Sequence, residues 1–430
     1  MILRARLVVP LISPPIPDGA VLISGNRIAA VGTWNSLSGR EWKQAFDLGD
    51  VALLPGLVNA HCHLDYTDMA GELTSPKQFP DWLKLMITAK SSWSYSDYAE
   101  SWLHGAKMLV RTGTTTVGDI ESVPELLPDV WEGTPLRVLS FIEMLGITNR
   151  RTPKAILAEA SERIEGLSNT RCKSGISPHA PYSTLPELLK VSGETARRRK
   201  WGVTTHVAES ALEFEMFMQG RGVMFDWLQK SKRDMSDCGL GSPVEHLDRF
   251  GLLGENLVAV HANYLGPKDA ALLGRRKVSV AHCPRSHRYF RHNPFPLREL
   301  TRARVNVCLG TDSLASVLKS RKQNVELNMF EEMRVLKESN PSLPPRRLVE
   351  MATLNGARAL GLKGQVGQLS TNALADLIAI PFRGRTRRIY DAILHHKGDV
   401  SASMIDGQWA IPPPEWYAGG GLFDRINAND

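Results

Sequence analysis

The chain is poor in cysteine: five residues in 430, scattered and odd in number. This excludes a small disulfide-stapled scaffold, which needs dense, paired cysteines. It sets the expectation of a reducing compartment, the cytoplasm. No apolar run approaches the roughly 18 residues that a membrane-spanning helix requires, so no membrane association is expected. Residues 1–20 hold only a short apolar stretch, interrupted by Pro10, Pro14, Pro15 and Pro17. That is a poor export signal and a better first strand. Internal repeats and low-complexity linkers are also missing, which argues against a solenoid or a string of tethered modules.

What is present is ordinary in bulk. Hydrophobic residues make up 43% and charged residues 23%, enough for a core and too little charge for wholesale disorder. Lys and Arg number 52 against 45 Asp and Glu, a formal charge of +7. The basic residues are scattered, apart from short clusters such as Arg197-Arg198-Arg199-Lys200 and Arg346-Arg347. Such clusters read as solvated faces, and no nucleic-acid partner is expected. Dividing the length by about 150 suggests two or three domains, although one α/β barrel absorbs 250 residues or more.

Both ends of the chain read as β-rich. Arg4–Val9 is followed by a Pro-rich turn, then Ala20–Ser24, a Gly25-Asn26 turn and Arg27–Val31 predict a hairpin. Near the other end, Asp376–Ile380, Ala402–Ile405 and Gln408–Ile411 read as strands, with a turn at Asp406-Gly407. Gly419-Gly420-Gly421 reads as a loose tail. The middle, about Leu54 to Leu362, alternates apolar strands with helical stretches. Eight candidate strands end near Asn59, Asp119, Glu143, Ser177, His206, His261, His282 and Gly310. Helices are predicted between and after them, including Pro80–Ala89, Ala211–Gln229, Asn324–Glu338 and Pro345–Leu360. Strand–helix alternation predicts parallel βα units, and eight of them predict a closed (β/α)8 TIM-type barrel, an α/β fold.

Catalytic residues of such barrels sit at the C-terminal ends of the strands. Here those ends are rich in His and acids. The first strand closes on His61-Cys62-His63, and strand alternation puts both imidazoles on one side. With 12 His in 430 residues, about 0.3 His-x-His pairs arise by chance, so the pair alone is weak. The fifth strand ends at His206, three residues before Glu209, the sixth at His261 and the seventh at His282, and the eighth leads to Asp312. A single strand-end His is commonly a hydrogen-bonded core residue, but that reading fails for the set. Converging strand ends would bring His61, His63, His206 and Asp312 to one point. Three nitrogens and one oxygen suit Zn2+ or Fe2+, with a position left for water.

The sequence resembles the amidohydrolase superfamily, in its cytosine-deaminase-like and triazine-hydrolase-like branch. The matching text is Pro55-Gly-Leu-Val-Asn-Ala-His-Cys-His63, Ser177-Pro-His-Ala-Pro-Tyr-Ser183, Thr205-His-Val-Ala-Glu209, Val260-His-Ala-Asn263, Ala281-His-Cys-Pro-Arg-Ser286 and Gly310-Thr-Asp-Ser-Leu-Ala-Ser316. Asn355-Gly-Ala-Arg-Ala-Leu-Gly361 and Ala375-Asp-Leu-Ile-Ala-Ile380 continue it. The resemblance implies a barrel over residues 55–362 and a small β-sandwich from residues 1–54 and 363–430, its tail starting at about 413. It implies His61, His63, His206 and Asp312 as metal ligands, Glu209 as general acid/base and His261 as the partner of the attacking water. His179 and Ser316 match substrate-contacting positions. Ile176-Ser-Pro-His179 has no lysine where two-metal relatives carry one, so one metal is expected. A homodimer is compatible with the family.

The expected chemistry is hydrolysis of a ring amine to a carbonyl, with release of ammonia. A metal lowers the pKa of its water toward about 7. Glu209 would pass that proton to a ring nitrogen, the division of labour used by zinc nucleobase deaminases on another fold. Asp312 would take the second proton.

Substrate signals lie in the loops. Leu64-Asp65-Tyr66-Thr67 and then Phe79-Pro-Asp-Trp82-Leu83 resemble the first loop of aminodeoxyfutalosine deaminases, which act on an adenine nucleoside carrying a benzoate. The alternative is that Phe79, Trp82 and Leu83 are a helix's buried face. Arg285-Ser-His287-Arg-Tyr-Phe-Arg291-His292 departs from relatives, which commonly have Asn at the place of His287. The five basic or titratable side chains of this loop are candidates to hold a substrate carboxylate, with Arg285 and His287 as candidate substrate contacts; the alternative is that Arg288 and Arg291 point to solvent. Glu143 is a further pocket candidate, and Asp119 reads as structural. Rival readings are a pyrimidine, guanine or pterin deaminase, a chloro- or amidohydrolase, and a non-catalytic homologue or anion-binding protein.

Overall fold

The computed structural model describes residues 1–37, 45–73, 78–148, 150–319 and 324–413. The tail expected from about residue 413, with its triple glycine, lies outside the described residues.

Five strands open the chain: β1 Ile2–Val8, β2 Ile16–Ser24, β3 Arg27–Thr33, β4 Ala45–Asp47 and β5 Val51–Pro55. Ser24 pairs with Arg27 across the Gly25-Asn26 turn, so the predicted hairpin forms. Eight more strands follow: β6 Leu57–Cys62, β7 Thr114–Glu121, β8 Arg137–Met144, β9 Lys173–Pro178, β10 Val203–Val207, β11 Leu257–His261, β12 Ser279–His282 and β13 Asn306–Leu309. The last three are β14 Leu377–Pro381, β15 Ala402–Ile405 and β16 Gln408–Ile411.

β6 to β13 pair in parallel with their sequence neighbours. Nearly all of their residues are buried, which is why they read as near-continuous apolar runs. The barrel closes just beyond β13, where the Thr311 and Asp312 amides donate to the His61 carbonyl at 3.0 and 3.2 Å. Gly310 permits this approach, because a Cβ there would lie 2.7 Å from the His61 oxygen. Asn59 staples the seam: its Nδ2 donates to Thr311 Oγ1 at 2.8 Å, and its Oδ1 accepts from the Thr311 amide at 3.1 Å.

The terminal strands form one mixed sheet, in the order β16-β15-β14-β5-β1-β2-β3, with β4 on β1. β5 is the join. It runs parallel to β1 and antiparallel to β14, with Pro55 opposite Leu377. Alternation divides its side chains between two cores. Val51 and Leu53 pack with Leu3, Ala5, Val21 and Met404, whereas Ala52 and Leu54 join the barrel's hydrophobic core. The terminal strands, expected as a β-sandwich, are hydrogen-bonded as one continuous mixed sheet separate from the barrel strands.

Three predicted helices differ. Ala211–Gln229 is two helices, Ala211–Gln219 and Val223–Lys230, because Gly220 and Gly222 take φ of 63° and 105° between them. Pro345–Leu360 divides into Pro345–Met351 and Leu354–Ala359 at Thr353, whose backbone is non-helical. The helix expected from Asn324 starts at Met329, where the Asn328 side chain accepts from the Phe330 and Glu331 amides. Among the described residues no helix is long and apolar enough to cross a membrane.

Candidate active site

β6 delivers two imidazoles. His61 is its penultimate residue and His63 follows its end, with ring centroids 5.0 Å apart. β10 supplies His206, whose Nε2 lies 3.3 Å from His63 Nε2. Its Nδ1 faces the His179 carbonyl at 2.9 Å. An Nδ1–H donated there leaves the Nε2 lone pair turned toward His63, an outer contact that fixes the tautomer of a ligating His. Asp312 completes the group, with Oδ1 3.6 Å from His61 Nε2 and 3.8 Å from His63 Nε2. Its carboxylate is oriented by the Ser313 amide at 2.9 Å and by Ser316 Oγ at 3.2 Å.

This donor set fits a divalent ion on its own chemistry. Both ring nitrogens of His61 are buried without a hydrogen-bond partner. Burial, then the His61 ring, pushes His63 well below the ordinary imidazole range. Burial, then His179 and His61, brings His206 down to about 3. Burial opposes the charge of Asp312, but the facing His61, His261 and His63 rings hold its carboxyl well below the usual range. His63, His206 and Asp312 thus favour the deprotonated form, in which lone pairs can bind a cation.

Glu209 and His261 stand beside this cluster, with Glu209 Oε1 3.6 Å from His261 Nε2. The nearest donor atoms of Glu209, His261 and Asp312 all lie within 4.8 Å of one another, as do those of His61, His63 and His206. Burial, then the Asp312 and Glu213 carboxylates, raises Glu209 well above the carboxylic range. Burial, against the attraction of Asp312, pushes His261 well below the imidazole range. The environment thus pushes the carboxyl up and the facing imidazole down, the divergence expected where acid and base roles are separated.

All of these groups except the deeper His61 border one cleft. A family model described as amidohydrolase matches residues 52–410. The chain belongs to the amidohydrolase family.

Two relatives place this amidohydrolase more closely. A 5-methylthioadenosine/S-adenosylhomocysteine deaminase of Syntrophobacter fumaroxidans is 30% identical over 415 residues, 91% of this chain and 87% of that protein. A 5'-deoxyadenosine deaminase of Methanothermobacter thermautotrophicus is 31% identical over 379 residues, 86% of this chain and 82% of that one. Among solved structures, a zinc-bound adenosine deaminase of Xanthomonas campestris superposes with a TM-score of 0.81. It is 25% identical and covers 95% of this chain and 92% of its own.

The amidohydrolase cleft brings some expected substrate contacts together and leaves others out. His179, Glu143 and Trp82 line it. His179 Nδ1 is 2.6 Å from Ser183 Oγ, and its Nε2 is 3.9 Å from Glu143. Burial, then Lys90 and His61, brings His179 down to about 3. Phe79 and Trp82 serve both readings given to them, lining the cleft while packing on Phe290 at 5.4 and 5.1 Å between centroids. Ser316 lies behind Asp312 and does not line the cleft.

The basic residues of the seventh-strand loop lie elsewhere. Arg285, half-buried, pairs with the buried Glu332 and donates to the Glu326 carbonyl at 2.8 Å. His287 packs between the His282 and His292 rings, and Arg288 pairs with Glu338. None of these lines the cleft. Two of these partners come from the helix Met329–Ser339, whose Glu332 and Glu338 engage Arg285 and Arg288.

The sequence reading passed over the one Lys or Arg that lines the cleft among the described residues, Lys90. Its ammonium hydrogen-bonds Tyr66 Oη and lies 4.6 Å from that ring's centroid. The Tyr66 ring stacks on His63. Phe79, Trp82, Leu83, Met86 and Lys90 stand at positions i, i+3, i+4, i+7 and i+11 of the helix Phe79–Lys90, so they share one face. That spacing was the available signal. Asp119 is structural as read: its carboxylate accepts from the Leu64 amide and Trp102 Nε1, each at 3.0 Å.

Proposed function

We propose that this chain is a metal-dependent hydrolytic deaminase of adenine-type nucleosides, exchanging the ring amino group for a carbonyl oxygen and releasing ammonia. One observation carries the reading: three imidazoles and a carboxylate converge beside the Glu209 carboxyl and the His261 imidazole. His61, His63, His206 and Asp312 would hold one divalent ion, for which we propose zinc; Fe2+ suits the same donors. Such an ion, when bound, supplies a water acidic enough to act as nucleophile near neutral pH. The protein's own groups do the rest. Glu209 accepts a proton from the attacking water and delivers it to the ring nitrogen next to the amine-bearing carbon. Its surroundings favour the protonated form, so it holds the proton until the ring takes it. His261 orients the water. Asp312 receives the second proton, which leaves with the amine as ammonia. His179, anchored by Ser183, contacts the substrate.

The outer cleft wall is apolar, formed by Leu83, Ile87, Leu145, Ile147 and Trp227. With Arg285 and His287 engaged elsewhere, that wall suits a small uncharged 5′ group better than a benzoate. We therefore place 5′-deoxyadenosine and 5′-methylthioadenosine ahead of aminodeoxyfutalosine. The five cysteines are free and buried, which supports a reducing, cytoplasmic setting.

The test is ammonia release by metal-replete wild type and Glu209→Gln, on adenosine, 5′-deoxyadenosine, 5′-methylthioadenosine, S-adenosylhomocysteine, aminodeoxyfutalosine, guanine and cytosine. Turnover is expected on adenine nucleosides, highest for the small 5′ groups. The variant should keep its metal and lose about 10² to 10⁴-fold in kcat. Activity confined to a pyrimidine, or undiminished turnover in the variant, would overturn the proposal.

A further inference from the structure

Glu209 must stand in one place to shuttle a proton, yet its carboxyl makes no hydrogen bond among the described residues. Its Oε1 faces His261 Nε2 at 3.6 Å, beyond hydrogen-bond distance. Its position is set through its backbone. Ala208, the residue before it, has φ 51°, a left-handed conformation that alanine keeps only where its surroundings hold it. This bend takes the chain out of β10 and toward the barrel mouth.

Two side chains hold the bend from opposite sides. Glu213, fully buried, accepts from the Ala208 amide with Oε1 at 3.0 Å and from the Glu209 amide with Oε2 at 2.9 Å. Asn263 Nδ2 donates to the Glu209 carbonyl at 3.0 Å, and the Asn263 amide donates to the Ala208 carbonyl at 3.0 Å. Helix capping alone does not account for the reach of Glu213. Ser210 already caps the helix Ala211–Gln219 by accepting from the Glu213 amide at 3.1 Å. An acid at this third helical position ordinarily reaches back to the amide of the cap residue. Here it reaches one and two residues further, onto the segment that carries Glu209.

We propose that Glu213 and Asn263 are positioning residues for Glu209, acting through the Ala208–Glu209 backbone and not through metal or substrate. This rests on the acid/base reading of Glu209. In Glu213→Gln, the amide oxygen still accepts from one backbone N–H, while the NH2 group confronts the other. In Asn263→Ala the carbonyl clamp is lost.

The experiment measures kcat, KM, metal content and thermal midpoint for E213Q, N263A and E209Q, and for each of the first two combined with E209Q. A displacement of the acid by about an ångström costs up to about 10²-fold. E213Q should therefore lose about 10 to 100-fold in kcat, with KM within about two-fold and full metal content. N263A should show a smaller loss of the same kind. In the E209Q background, either change should add no more than about two-fold, because the group it positions is already disabled. Losses that multiply in full in that background, or that follow metal or folded fraction, overturn the proposal. So does wild-type kcat in both single variants. If E213Q does not fold, the N263A cycle alone decides. Undiminished turnover in E209Q would instead remove the acid/base reading beneath it.

Discussion

Asp65, two residues past His63, is fully buried, with Ser122 Oγ 2.6 Å from one carboxylate oxygen and no partner on the other. Burial outweighs the attraction of Lys90 and raises its pKa to about 7. The sign of the consequence is definite. Between about 4 and 7 the folded chain keeps a proton here that the unfolded chain releases. This carboxyl's contribution to stability is thus complete below about pH 4 and lost as pH rises to 7. Asp65→Asn has no such proton to lose. Urea unfolding at pH 5 and pH 8 should show the stability difference shifting in the variant's favour at pH 8. An unchanged difference would refute the shift. The metal-ligand candidates could be read from the sequence because alternation along strands and chain order constrain them. Arg285, His287 and Lys90 could not. Which way a long basic side chain turns depends on acids such as Glu332, 47 residues away, and no local pattern reports that.

At the level of elements, the barrel seam joins the two halves of the proposed ligand set. β6 bears His61 and the β13 end bears Asp312, and Asn59 is bonded to both flanking segments. Asn59→Ala leaves the buried Thr311 hydroxyl and amide without that partner, at a cost of roughly 1–3 kcal/mol. The same variant should also bind metal less tightly, since the two strand ends are no longer fixed together. Equilibrium unfolding and metal titration check both effects; unaltered affinity would show that the seam is held by other contacts. The strands were legible in the sequence because parallel barrel strands are apolar throughout. Helix breaks were less so. Gly220 and Gly222 could have ended Ala211–Gln229, whereas the break at Thr353 carries no glycine or proline and comes from tertiary packing.

For the whole molecule, a buried ionic contact helps tie the sheet to the barrel. Arg137, at the start of β8, holds Asp376 through two hydrogen bonds of 2.9 and 3.1 Å and reaches Asp406 at 3.0 Å. Removing one partner of such a buried pair costs about 3–5 kcal/mol, because the other charge stays buried alone. Arg137→Met should lower the unfolding midpoint sharply, and Arg137→Met with Asp376→Leu should recover part of the loss. Equal midpoints for wild type and the single variant would show that the contact is solvated. The β-rich ends were legible, and so was their separation from the barrel. Their pairing as one sheet was not, because strand partners hundreds of residues apart leave no mark on local pattern.

That distant pairing has a consequence for synthesis. β5 finds its antiparallel partner only when Leu377 follows Pro55 by roughly 320 residues, which at 5–20 residues per second is about 15–60 s of translation. During that interval one edge of β5 is an open strand on a nascent chain, the kind of edge that recruits other strands. The last strands to be made thus act as a cover for the first. A chain released before β14 would keep every candidate catalytic residue and still present an adhesive edge.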